Sequence, residues 1–161
     1  MTRTNKTPCA LVTGCAGFVG SHLVHALLDR SIPVVGVDNF FTGKPENMDG
    51  FVNNPDFTFY ERSIVEANLV AELYDRHPGL SYAFHLAAIV SVPYSMDHPR
   101  ETMEINYLAS LGMLEQARER GFTTFVFAGS AAEYGEVDAL PLRENAIQTA
   151  KAEMPPGAVI Q

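Results

Sequence analysis

The sequence has no tryptophan, only two cysteines and few basic residues. Cys9 and Cys15 make neither a zinc ligand set nor a disulfide framework. Cys9 stands in an apolar run, as a small core residue, and Cys15 in a glycine-rich turn, where a compact residue is tolerated. The 11 Lys and Arg are outnumbered by 19 Asp and Glu, for a net charge of −8. That balance argues against a nucleic-acid or anionic-membrane surface. An anionic ligand would be held by local backbone N–H groups, not by the overall field. Long apolar runs are missing, and none approaches the roughly 20 residues of a membrane span. Residues 1–8 are polar and lack the apolar region of a signal peptide, so the expected compartment is the cytoplasm. No solenoid repeat or low-complexity tract interrupts the chain. Its 161 residues suffice for one domain with a real core.

The rest is organised around residues 10–38. Cys9 to Thr13 form a short apolar run suited to a buried parallel strand. Gly14, Gly17 and Gly20 follow at three-residue spacing. Residues 18–29 carry apolar side chains at helical spacing, and Val34 to Val37 form a second strand ended by Asp38. The glycines act differently. Gly14 permits the tight turn, Gly17 admits a pyrophosphate to the backbone, and Gly20 lets the helix pack on the sheet. The helix N-terminus supplies unpaired N–H groups and partial positive charge. A carboxylate about 20 residues on accepts hydrogen bonds from a ribose diol and repels a 2′-phosphate, so NAD is favoured over NADP.

Further strands are expected at 57–60, 82–86 and 124–128, and helices at 67–76 and 99–120, the latter stopped by Gly121. Residues 39–56 and 87–98 read as loops, with Ser91 and Ser95 either caps or site residues. Phe57, Phe59, Phe125 and Phe127 are expected in the core, and His85 as a packed, hydrogen-bonded histidine. Alternating strands and helices imply an α/β fold: a Rossmann-type, doubly wound parallel sheet, truncated after about the fifth strand. Residues 1–146 make up the expected dinucleotide-binding domain, 147–161 an irregular tail, and 1–7 a frayed leader.

Several segments resemble one family. The run Thr13-Gly14-Cys15-Ala16-Gly17-Phe18-Val19-Gly20 resembles the glycine motif of extended short-chain dehydrogenase/reductases. Asp38-Asn39-Phe40-Phe41-Thr42-Gly43 resembles the segment after that family's second strand, His85-Leu86-Ala87-Ala88 the segment after its fourth, and Phe127 to Gly135 its active-site serine strand and turn around Ser130. Within that group the chain is similar to NAD-dependent nucleotide-sugar epimerase/dehydratases, of UDP-sugar 4-epimerase type, with a second likeness to UDP-glucuronate decarboxylases. The resemblance implies NAD as cofactor and a UDP-sugar as substrate of the complete enzyme. It places Phe18 and Val19 at the pyrophosphate. Asp38 and Asn39 would lie at the ribose, with Phe40, Thr42 and Gly43 close by. Ser63 and Ile64 would lie beside the adenine, and Leu86, Ala87 and Ala88 along the cleft. Asn106 would order the site, Ser130 would hydrogen-bond the sugar hydroxyl undergoing oxidation, and Tyr134 would be a turn residue near the nucleotide. No metal ligands are implied.

The family's reaction needs a Tyr-x-x-x-Lys pair, the tyrosine acting as base with its pKa lowered by the lysine. None of the six tyrosines has a lysine four residues on, and Lys151 has no tyrosine partner. The expected chain is therefore a cofactor-binding part without a substrate domain. An alternative is a catalytically silent dinucleotide-binding or interaction module. An exposed apolar edge at the fifth strand invites self-association. The family's helix-bundle dimer is not expected, because only the first of its helices is present.

Overall fold

The computed structural model describes residues 7–130. Expectations about Tyr134, Lys151, residues 1–6 and the tail at 147–161 lie outside them. The chain divides into a compact unit Met1–Phe127 and a second unit Ala128–Gln161.

The first unit is a five-stranded sheet of order β3-β2-β1-β4-β5, parallel throughout. Its strands are β1 (Cys9–Thr13), β2 (Val34–Asp38), β3 (Phe57–Glu61), β4 (Leu80–His85) and β5 (Thr124–Phe127). The helices are α1 (Phe18–Leu28), α2 (Leu69–Arg76), α3 (Val92–Asp97), α4 (Pro99–Met103) and α5 (Ser110–Glu119). All five residues of β1 and of β2 are buried, which explains why they read as continuous apolar runs.

Alternation along the strands divides the core between two faces. Leu11, Val35, Val37 and Ala83 meet Leu69, Val70 and Leu73 of α2 and Met113 and Ala117 of α5. Ala10, Val12 and Val34 meet Val24 and Leu27 of α1, with Met48, Phe51 and Phe57. The strand order reverses at β1: β2 and β3 are added on one side of it and β4 and β5 on the other. The register sets Thr13 beside both Val37 and His85. The strand ends carrying Gly14, Asp38 and Leu86 therefore open together at the switch point, where open parallel sheets bind ligands.

The structure corrects several local expectations. The loop at 87–98 contains α3, whose Pro93 sits in the first helical turn, where its missing N–H costs nothing. Ser91 caps that helix by accepting the Tyr94 N–H, and the Ser95 hydroxyl donates to the Val92 carbonyl, so both serve local structure. The loop at 39–56 holds a 3-10 turn, Pro45–Met48. The expected helix over 99–120 is continuous from Pro99 to Glu119, with its hydrogen bonding widened to a π-helical register over Glu104–Ala109. Phe57 is buried and Phe59 and Phe125 half-buried, but Phe127 is 56% exposed. Among the described residues β5 pairs with β4 alone, so the end of this edge strand lacks the cover that apolar alternation implies.

Candidate functional site

A cavity of about 280 Å3 opens at the carboxyl edge of β1, β2 and β4. Its wall begins at the glycine turn. Gly14 has a φ of +71°, and a Cβ there would lie 2.9 Å from the Ala87 nitrogen. A Cβ on Gly20 would lie 2.0 Å from the Gly14 carbonyl oxygen. The turn, α1 and the loop after β4 thus meet backbone to backbone. No side chain caps α1 at Gly17, and its first turn holds no acidic residue. That leaves first-turn N–H groups available to an anion.

Asp38 stands opposite, 8% exposed and lining the cavity. Its Oδ2 accepts the Ala16 N–H at 3.0 Å and its Oδ1 the Phe40 N–H at 2.8 Å. These bonds fix the carboxylate while leaving lone pairs for a ligand's hydroxyls. Gly43 packs so closely that a Cβ there would lie 2.9 Å from Asp38 Oδ1.

Most residues expected at the cofactor do line this cavity: Gly14, Gly17, Phe18, Val19, Gly20, Asp38, Asn39, Thr42, Gly43, Ser63, Ile64, Leu86, Ala87 and Ala88. Phe40 and Asn106 are not in the wall. Phe40 adopts a φ of 56° and turns its ring onto Phe59, leaving the cavity to Phe41. Phe41 meets Tyr94 of α3 edge to face, with centroids 5.3 Å apart. Asn106 brackets Ile89 instead: its Oδ1 accepts the Ile89 N–H at 2.8 Å and its Nδ2 donates to the Ile89 carbonyl at 2.9 Å. It acts by holding the loop whose Ile89 and Val90 line the cavity. Arg62 also lines the cavity. Ser130 is an exposed residue of the second unit.

A polar chain supports the same loop. Thr13 Oγ1 accepts the N–H groups of Leu86 and Ala87 at 3.2 and 3.3 Å and meets His85 Nδ1 at 2.7 Å. With two donors already on its oxygen, the threonine proton goes to Nδ1. His85 then carries its own proton on Nε2 and donates to Ser110 Oγ at 2.8 Å. Ser110 donates onward to the Asn106 carbonyl at 2.9 Å. Burial pushes the His85 pKa down to about 4, so the ring is neutral. Burial likewise pushes the Cys15 thiol up to about 12, which makes it inert as a nucleophile. Among the described residues no group of His, Cys, Asp or Glu could hold a metal ion, and no helix is long and apolar enough to cross a membrane.

An uncapped helix facing a buried carboxylate across a parallel-sheet switch point defines a dinucleotide-binding α/β domain. The model of the NAD dependent epimerase/dehydratase family matches residues 10–156. The chain belongs to this family, whose cofactor is NAD. It is 38% identical over 136 residues to the UDP-glucose 4-epimerase of Mycolicibacterium smegmatis, covering 84% of this chain and 43% of that one. UDP-glucuronic acid decarboxylase 4 of Arabidopsis thaliana is 35% identical over 139 residues, covering 86% of this chain and 28% of the other. The fold is similar to that of Thermus thermophilus UDP-glucose 4-epimerase in complex with NAD, with a TM-score of 0.73, 35% identity, and coverage of 84% and 42%. The chain thus spans less than half the length of these relatives. Its residues fit the cofactor: a side chain at Gly14 or Gly20 would meet backbone, and Asp38 offers a fixed acceptor to a diol.

Proposed function

We propose that this chain is the NAD-binding part of a nucleotide-sugar epimerase/dehydratase of UDP-sugar 4-epimerase type. The observation that carries the cofactor half of this reading is Asp38, buried, oriented by two N–H donors and facing the cavity. Support for the substrate class comes from the relatives, named for UDP-glucose and UDP-glucuronic acid. Bound NAD supplies a reversible hydride acceptor. The N–H groups of Phe18 and Val19 hold the pyrophosphate, Asp38 and Asn39 the adenosine ribose, and Ser63 and Ile64 flank the adenine. Leu86, Ala87 and Ala88 form the opposite wall, kept in place by Asn106 and the Thr13–His85–Ser110 chain. Ser130 hydrogen-bonds the sugar hydroxyl that is oxidised. Two buried free cysteines suit a reducing compartment, and we place the chain in the cytoplasm.

A second reading is favoured by one observation, that no tyrosine has a lysine four residues on. The hydroxyl proton then has no Tyr-x-x-x-Lys acceptor within these 161 residues, and the chain binds the dinucleotide without turning over a sugar. Incubating the pure chain with NAD and UDP-glucose separates the two. Formation of the 4-epimer, UDP-galactose, would sink the silent reading.

Calorimetric titration tests the cofactor assignment. Saturable NAD binding is expected, with NADP at least roughly tenfold weaker. Asp38→Asn removes the charge that repels a 2′-phosphate and weakens the ribose hydrogen bonds. It should narrow the gap by about tenfold, the size of one charge-assisted hydrogen bond. A chain that melts cooperatively yet binds no NAD would refute the assignment.

A further inference from the structure

We propose that Glu66 and Glu72 set the dinucleotide preference of the cleft by keeping Arg62 from serving as a phosphate ligand. The inference rests on the cofactor assignment, because it takes the Asp38 end of the cavity as the ribose end. Among the described residues Arg62 is the one basic side chain lining the cavity. It follows β3 directly, and its N–H donates to the Asp38 carbonyl at 3.1 Å. Its backbone is therefore fixed beside the residue that carries the ribose carboxylate. A free guanidinium there would be a ready ligand for a 2′-phosphate, since its planar fork matches phosphate oxygens two at a time.

The guanidinium is not free. Its Nε donates to Glu66 Oε2 at 2.7 Å, its Nη2 bonds the same oxygen, and its Nη1 donates to Glu72 Oε2 at 2.8 Å. All three nitrogens are engaged. Glu66 is itself anchored to the cavity wall, for its Oε1 accepts the Ser63 N–H at 3.0 Å. Glu72 lies in the first turn of α2, where the helix favours an anion. Hydrogen bonding by Glu66, then Glu72, holds Arg62 above the ordinary arginine range, and Arg62 holds the Glu66 carboxyl below the usual one. The carboxylates are 38% and 48% exposed, and such pairs add little to folding. Their consequence is local to the cleft. Glu66 and Glu72 lie outside the cavity wall, and by engaging all three nitrogens of Arg62 they hold its guanidinium away from the fork geometry a 2′-phosphate needs, whereas Asp38 remains a free-facing acceptor for a ribose diol.

The test is a Glu66→Gln/Glu72→Gln chain, titrated with NAD and with NADP beside the wild type. Glutamine keeps an acceptor for the Ser63 N–H while removing both charges. The ratio of NADP to NAD affinity should rise on the order of tenfold, as one charge-assisted contact is gained. Adding Arg62→Ala should cancel the rise, and raising the salt concentration should shrink it. The single Glu72→Gln chain, altered at a half-exposed position, should show a smaller rise in the same direction. An unchanged ratio in chains that melt like the wild type would overturn the inference, as would a rise that survives Arg62→Ala. NAD binding with an unchanged ratio overturns this inference alone. Wild-type chain that binds no NAD overturns the cofactor assignment and this inference with it.

Discussion

Gly20→Ala should abolish NAD binding and lower the melting temperature by about 10 °C, corresponding to about 3 kcal/mol or more of overpacking. The added Cβ would lie 2.0 Å from the Gly14 oxygen, 2.8 Å from the Gly14 carbonyl carbon and 3.0 Å from the Cys15 Cα. All three are backbone atoms, so no side chain can swing away. Either α1 lifts off the sheet, or the turn that forms the floor of the cleft is remodelled. Alanine's better helix propensity returns only about 1 kcal/mol and does not offset this. Gly112→Ala in α5 is the control, since a Cβ there meets nothing within 4 Å. It should be neutral or stabilising by up to about 1 kcal/mol. Thermal melts and NAD titrations of both variants check the pair. A Gly20→Ala chain indistinguishable from Gly112→Ala would show that α1 can move away from the turn at no cost.

Acid should destabilise the protein through His85. The ring is buried and neutral, with its pKa pushed down to about 4 from an unfolded value near 6.5. Between those two values the unfolded chain binds a proton that the folded chain does not. Stability therefore falls as the pH is lowered through this window, by up to about 1.4 kcal/mol per unit and about 3 kcal/mol in all. Urea midpoints from about pH 7 to 4 read this slope. His85→Gln removes the titrating ring, so its curve should be flatter by that amount, even though breaking the polar chain makes it less stable at neutral pH. His77 is also shifted downward by burial and by the neighbouring Arg76, and it contributes equally to both curves. Parallel curves for the two chains would refute the assignment of the acid limb to His85.

The features legible in the sequence are those whose chemistry is local. Three glycines, an apolar run on either side and a carboxylate at the next strand end define one side of the cleft, because each acts on backbone near itself. What stayed hidden was decided by tertiary position. Phe40 and Phe41 are neighbours of one type, and only the left-handed backbone at Phe40 sends it to the core and its successor to the cavity. Asn106 reads as a polar residue on a helix, yet its partner is a backbone 17 residues away. Arg62 carries no signal of its own in the sequence; the pairing of β3 with β2 is what sets it beside Asp38. Pro93 signals a loop when read alone, but in the first turn of α3 it is compatible with helix. Phe127 obeys strand alternation and is still exposed, because position within a sheet is not written in the strand itself.

The place of β1 has a consequence for synthesis. Among the described residues β1 is made before the strands on either side of it, and one of those partners, β4, is completed only at His85. A nascent chain that has paired β1 with β2, and β2 with β3, therefore carries a strand that is apolar except for Thr13, with one edge open for many residues of translation. Parallel pairing across such separations is slow, and unpaired edges of this kind favour aggregation. Ribosome-bound chains ending before Leu80 should bind holdase chaperones more strongly than those extending beyond β4.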